Sequence, residues 1–307
     1  FPASVLMRVW PLAVMATTPQ LTLVFSYVTN DSPAIAASTF GVYALVRAYQ
    51  ADFGNRESVL LGVALGLVAL HKFTGFMIFP VAGLAIVWAL RRSPARLLKV
   101  AGIVALFVLA ISLWWYVRMV IVYGDPFGVA TTQAAVDASG GAPIPYRERG
   151  YSLWRFLTET EWVGENFATF WGGYGIVKLK LPAAVYILLA GLSMLGLAGL
   201  AARLVGWLRN QRPGADVNWL PAVMAMLFFG LLALSLWSSY SVDMALHGRY
   251  LFPEFLPFIA LLTIGLSTFA PLVRQARPVV AATIPLMVAG NLAYVLFVLV
   301  PDVIAIG

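Results

Sequence analysis

The sequence predicts an all-α, polytopic transmembrane helical bundle of about nine spans, with a long extracytoplasmic loop containing an interfacial helix. Three observations predict it. Only 11% of the 307 residues are charged while 61% are hydrophobic, and the mean hydropathy is +0.88. Soluble domains carry roughly a quarter charged residues, so this chain has too few to solvate a globule of its size. Apolar runs of near-span length alternate with short clusters rich in Arg, Pro and Gly, which is the pattern of spans and loops. The basic residues also fall unequally on the two faces that those spans define.

A span needs roughly 20 apolar residues. Taken in order, spans are expected near 9–28, 33–49, 58–71, 74–90, 100–117, 182–202, 219–237, 251–272 and 278–299. The short 58–71 segment and its neighbour are separated by His71-Lys72, and one broken helix is the competing reading there. With nine spans, one face receives Arg8, Arg47, Arg56, Arg91, Arg92, Arg96, Lys99, Arg203, Arg209, Arg212, Arg274 and Arg277, against Asp52, Glu57 and Asp216. That face is net +9 and the other net −2, so the first is the cytoplasmic one by the positive-inside rule. Residues 1–307 read as a single transmembrane domain, and residues 118–181 as the long outer loop within it.

Within that loop Leu153, Phe156, Leu157, Val163, Phe167 and Phe170 recur at spacings of mostly three or four, with Arg155, Glu159 and Glu165 between them. The stripe predicts an amphipathic helix lying in the membrane interface. Trp114, Trp115, Trp154, Trp162 and Trp171 sit at the same edge as an aromatic belt.

The net charge of +7 and the pI near 9.8 come from residues scattered among loops. Topology and anionic lipid headgroups account for them, and no nucleic-acid partner is expected. There is no cysteine, which excludes disulfides, thiolate chemistry and Cys-based metal sites. The chain starts at Phe1 without a signal-peptide layout, so it reads as a fragment truncated at its N-terminus.

Ionisable residues at the outer ends of spans carry the chemical information, because charge buried in hydrocarbon is costly and pairs or lines a cavity. Asn30-Asp31-Ser32-Pro33 suits a helix N-cap, and Asp31 equally suits an acidic group facing an outer cavity. Lys72 either snorkels to the headgroups or offers a point charge to a phosphate. Arg118, beside the ordinary turn residues Gly124-Asp125-Pro126, can clamp an anionic headgroup. Asp243 and His247 have i,i+4 spacing, the spacing of an acid–base pair or of two ligands for a divalent metal ion. Arg249 is the stronger anion ligand. Glu254, between Pro253 and Pro257, is expected to pair with Arg249 or to face a cavity. No nucleotide-binding, nucleophile-elbow or zincin motif is present.

Five segments in this order resemble the GT-C glycosyltransferases, in particular bacterial glycosyltransferase family 39 and the lipid A aminoarabinose transferase group. They are Thr18-Pro19 through Asn30-Asp31, then Leu61-Gly62 through His71-Lys72-Phe73-Thr74, then Trp115, Tyr116 and Arg118 with Tyr123-Gly124-Asp125-Pro126-Phe127. Phe170-Trp171-Gly172 with Tyr174-Gly175 follows, and Gly248-Arg249-Tyr250-Leu251-Phe252-Pro253 closes the series. The resemblance implies transfer of a sugar from a polyprenyl-phosphate carrier to a lipid, glycan or protein acceptor on the outer face of a bacterial inner membrane. It makes Lys72 and Arg249 ligands of the carrier phosphate and Asp31 the second acidic site residue. It places the family's main carboxylate in an outer loop before Phe1. His71 stands where the family usually has Thr. A transporter or flippase of an amphipathic anion is the competing class, favoured by proline-broken spans such as those holding Pro11, Pro19 and Pro80. A non-catalytic membrane subunit is the third.

Overall fold

The computed structural model describes residues 5–26, 29–141, 144–174, 179–209, 219–242 and 246–269, with short pieces between 285 and 301. Arg212, Asp216, Asp243, Arg274, Arg277, Gly175 and most of the 278–299 span lie outside the described residues. The described chain is helical apart from a small antiparallel ribbon, β1 (Gly173–Tyr174) with β2 (Leu179–Lys180). Two compact units divide it: residues 29–162 with 229–246, and residues 1–28 with 163–228 and 247–307.

In chain order the helices are α1 (Val5–Thr17), α2 (Pro19–Ser26), α3 (Asp31–Gln50), α4 (Asn55–His71), α5 (Ile78–Leu90) and α6 (Pro94–Tyr123). They continue as α7 (Val129–Ala138), α8 (Leu153–Glu159), α9 (Trp162–Trp171), α10 (Ala183–Arg209), α11 (Trp219–Ser241) and α12 (Phe255–Leu266). Short 3₁₀ segments at Phe73–Met77 and Gly248–Glu254 precede α5 and α12. Five stretches are long and apolar enough to cross a membrane: Phe73–Leu90, Pro94–Tyr123, Ala183–Arg209, Trp219–Ser241 and Gly248–Phe269. The segment expected as one span near 9–28 divides at Thr18, because Pro19 lacks the N–H that would continue the ladder and disfavours helical backbone before it. α3 is long enough at 20 residues, but Asp31, Ser32, Ser38, Thr39, Arg47 and Gln50 dilute it.

In the unit of residues 29–162, α3 buries Asp31, Ala34, Ile35, Ser38, Val42 and Leu45 at helical spacing. α4 packs on both α3 and α6. Its approach to α6 needs small residues: a Cβ on Gly62 would lie 2.8 Å from that of Phe107, and one on Gly66 2.9 Å from that of Ile111. α4 ends at His71 because Lys72 is extended (φ −155°, ψ 134°), and the chain re-enters through the 3₁₀ turn, where Gly75 N–H donates to the Lys72 carbonyl. The stretch 58–90 thus forms two helices, of which Phe73–Leu90 has spanning length.

In the other unit, α12 packs against α1 and α10. Gly196 and Gly199 of α10 face Gly265 of α12 with no room for a Cβ at any of the three. Arg203 anchors the far end by donating to Thr268 Oγ1 at 2.8 Å and Ser267 Oγ at 2.9 Å. Phe170 and Trp171 stack against Phe255 and Phe258 to form the aromatic core of this unit. α6 and α10 keep long apolar surfaces uncovered, including Leu106, Ile121, Ile187 and Leu188, as lipid-facing helices do.

The loop helix expected from Leu153 to Phe170 is two helices, α8 and α9. The stripe skips from Leu157 to Val163, and Thr160 occupies that gap. Thr160 is extended (φ −109°, ψ 165°), its hydroxyl donates to the Phe156 carbonyl, and the Trp162 N–H donates to Thr160 Oγ1. Such local side-chain bonds compete with helix continuation. Within α9 polar side chains are buried as well as apolar ones. Trp162, Asn166, Thr169 and Phe170 are buried, whereas Val163 is exposed.

Candidate functional site

Asp31 opens α3 and Lys72 closes α4, which places both at the same end of two helices packed side by side. Lys72 Nζ donates to Asp31 Oδ1 at 2.5 Å. The side chains are only 17% and 9% exposed, so solvent screens the pair weakly. Asp31 is therefore not just a capping residue, and Lys72 is not a lysine reaching into the headgroups alone. An ammonium has three donors, and the Asp31 bond uses one of them. Nearby, Ser38 Oγ and Thr74 Oγ1 are buried with no hydrogen-bond partner among the described residues. Ser38 lies two turns along α3 from Asp31, and a Cβ on Gly75 would come within 2.9 Å of its hydroxyl. Tyr116 of α6 closes the same end of α4, its hydroxyl donating to the Ala69 carbonyl at 2.6 Å.

Arg118 lies on α6 beyond the expected span end, since the helix continues to Tyr123. It is exposed and its guanidinium carbon sits 5.4 Å from the Trp115 ring centroid, a cation–π geometry. The turn after it is ordinary, as the sequence suggested. Gly124 takes the left-handed cap (φ 67°). Asp125 accepts from Phe127 N–H at 3.0 Å and Ala130 N–H at 2.6 Å. The Phe127 amide leads the backbone donors that hold the Asp125 carboxyl below its ordinary range.

In the other unit, Gly248–Glu254 is the 3₁₀ segment that carries Arg249 and Glu254. Gly248 N–H donates to Thr169 Oγ1 of α9 at 2.7 Å, and the Thr169 hydroxyl donates to the Glu165 carbonyl at 2.6 Å. The guanidinium of Arg249 lies 5.6 Å from the Tyr250 ring centroid. His247 is extended (φ −117°, ψ 117°), and Asp243 lies outside the described residues. The Glu165 carboxylate, which pairs with Lys180, acts electrostatically on His247. Burial, with the Arg249 charge, pushes the His247 imidazole below its ordinary range despite Glu165.

Glu254 departs from expectation. It is fully buried, and neither carboxylate oxygen has a hydrogen-bond partner among the described residues. The expected pairing with Arg249 is not made. No group of three or more His, Asp or Glu side chains able to hold a metal converges among the described residues.

Thr169 carries no signal in the sequence taken alone. Thr169 reads as a polar residue off the apolar stripe, and only its buried partner reveals its role.

Residues 6–139 match the family model described as dolichyl-phosphate-mannose-protein mannosyltransferase, a member of the GT-C superfamily. The match covers Asp31, Lys72 and Arg118 and stops short of His247, Arg249 and Glu254. No curated protein and no solved structure matches the chain. Five stretches of spanning length and the match over residues 6–139 point to an integral membrane protein, and the matched family suggests a membrane glycosyltransferase.

Proposed function

We propose that the chain transfers a sugar from a polyprenyl-phosphate carrier to an acceptor on the extracytoplasmic face of a bacterial inner membrane. The family resemblance makes Lys72, held by Asp31, a ligand of the carrier phosphate, and makes Arg249 one as well. The observation that carries the reading is the Asp31–Lys72 pair, half-sequestered at one end of α3 and α4 inside the stretch that matches the family. The reading rests on the nine-span topology, with residues 118–181 outside.

As the glycosidic bond breaks, charge accumulates on the departing phosphate. Cations that grip it more tightly as it leaves lower the barrier. Asp31 holds the Lys72 ammonium in position, and a carboxylate supplied nearby takes the acceptor's proton. Arg249 adds a planar fork that matches phosphate oxygens better than a point charge does.

The test measures binding of a polyprenyl monophosphate to full-length protein in nanodiscs, with neutral polyprenol as control. Lys72→Gln and Arg249→Gln should each weaken phosphate-dependent binding by roughly 10- to 100-fold, about 1.4 kcal/mol per decade. Arg249→Lys should restore only part of the loss. Lys72→Gln leaves the Asp31 carboxylate uncompensated, so Asp31→Asn/Lys72→Gln serves as the stability-matched control. Unchanged binding in a folded Lys72→Gln/Arg249→Gln double variant overturns the assignment.

A transporter of an anionic amphipath is the second reading, and Glu254 is the observation in its favour. A buried carboxylate flanked by prolines inside a span is a common transporter feature. Uptake of a polyprenyl monophosphate into proteoliposomes without glycosyl transfer separates the two.

A further inference from the structure

The hydroxyl of Thr169 sits between two backbones. It accepts the Gly248 N–H at 2.7 Å and donates to the Glu165 carbonyl at 2.6 Å. Thr169 is 2% exposed, so neither bond has water to replace it. The contact between α9 and the segment before Arg249 is backbone to backbone. A Cβ on Gly248 would lie 2.5 Å from Phe170 N and 2.7 Å from Phe170 Cα, and would also strike the Asn166 carbonyl. Glycine is therefore the residue that lets His247–Arg249 cross α9 at this separation. The crossing sets where Arg249 starts, because only one peptide unit separates its Cα from the clamped amide.

We propose that Thr169 is a positioning residue for Arg249, and that α9 of the long loop thereby forms part of the carrier-phosphate site. The inference rests on the reading of Arg249 as a phosphate ligand. It adds a function for the loop that the apolar stripe did not suggest. A bidentate guanidinium–phosphate contact depends on placement to well under an ångström. Releasing the amide of the preceding residue lets the guanidinium wander off that geometry while its charge remains. A merely structural threonine would lower stability and leave the phosphate affinity of folded molecules unchanged.

The experiment measures binding of a polyprenyl monophosphate to full-length protein in nanodiscs, in two backgrounds, with thermal stability followed in parallel. Thr169→Val removes the hydroxyl at nearly constant shape and should weaken binding about 10-fold, while Thr169→Ser keeps the hydroxyl and should stay within about two-fold of the parent. In an Arg249→Gln background, Thr169→Val should add less than about two-fold, because a residue that acts through Arg249 has nothing left to position. If Thr169→Val does not fold, Thr169→Ala is read in the same cycle. Parent-like binding by Thr169→Val, beside a large loss in Arg249→Gln, overturns the positioning role and leaves the phosphate reading intact. The same loss in both backgrounds also overturns it. Parent-like binding by Arg249→Gln removes the phosphate reading and this inference with it.

Discussion

Replacing Glu254 with leucine should make the protein more stable. Glu254 is fully buried, between the equally buried Phe252 and Phe255, and both its oxygens lack a hydrogen-bond partner among the described residues. A buried polar group left unsatisfied costs about 1–3 kcal/mol, and an ionised one costs more. Leucine occupies nearly the same space with no polar atom to satisfy, so most of that cost is recovered. Part is lost again to imperfect repacking against the two rings. A net gain of about 1–2 kcal/mol corresponds to a rise of roughly 2–6 °C in Tm for a domain of this size. Glu254→Gln should gain little, because the amide brings two donors and an acceptor that meet the same empty surroundings. The assay is thermal unfolding of purified variants in one detergent, read by loss of the helical signal. A Glu254→Leu variant less stable than the parent, by as little as 2 °C, would refute the reasoning, since the carboxylate would then have a partner worth more than its desolvation. A residue that costs stability is usually kept for function, so the same variant should lose glycosyl transfer.

Two further outcomes are expected. Cysteine at Ser139 should react with an impermeant thiol reagent in intact cells and cysteine at Ser93 should not, and equal labelling at both positions rejects the nine-span orientation. The pH dependence of stability should show the half-buried His247. Its imidazole is held below its ordinary value by burial and by Arg249, so the unfolded chain gains a proton first as pH falls through about 6.5, and stability drops there. The decline from about pH 7 to 5.5 should be shallower in His247→Gln, and equal slopes would show that His247 does not contribute.

Much of the architecture is legible from local pattern. The break at His71-Lys72, the helix start at Asp31 and the Asp125 turn depend on residues within a few positions of each other. Propensity and capping chemistry act at that range. The aromatic and apolar surfaces of α6 are likewise written in composition alone, because lipid makes no demand for a specific partner. The α8–α9 break was also present in the sequence, as a missing stripe position beside Thr160. It escaped notice because a six-residue gap can be bridged by the same period that fits the flanking residues.

The partnerships belong to the tertiary structure. Asp31 and Lys72 are 41 residues apart and Thr169 and Gly248 are 79 apart, and nothing in a helical period says which polar residues will meet across helices. The packed face of α9 was decided by the hydrogen bond and close approach at Gly248. Those outweighed the apolar stripe, leaving Val163 exposed and Asn166 and Thr169 buried. The Arg249–Glu254 pair expected from proximity in sequence is not made, since Glu254 is fully buried with neither oxygen hydrogen-bonded among the described residues. Composition thus determines that the chain enters a membrane and roughly where its helices run. Which charges pair and which carboxylate stays unpartnered is decided by the rotation and spacing of packed helices, because a hydrogen bond forms only within a few tenths of an ångström of its proper length.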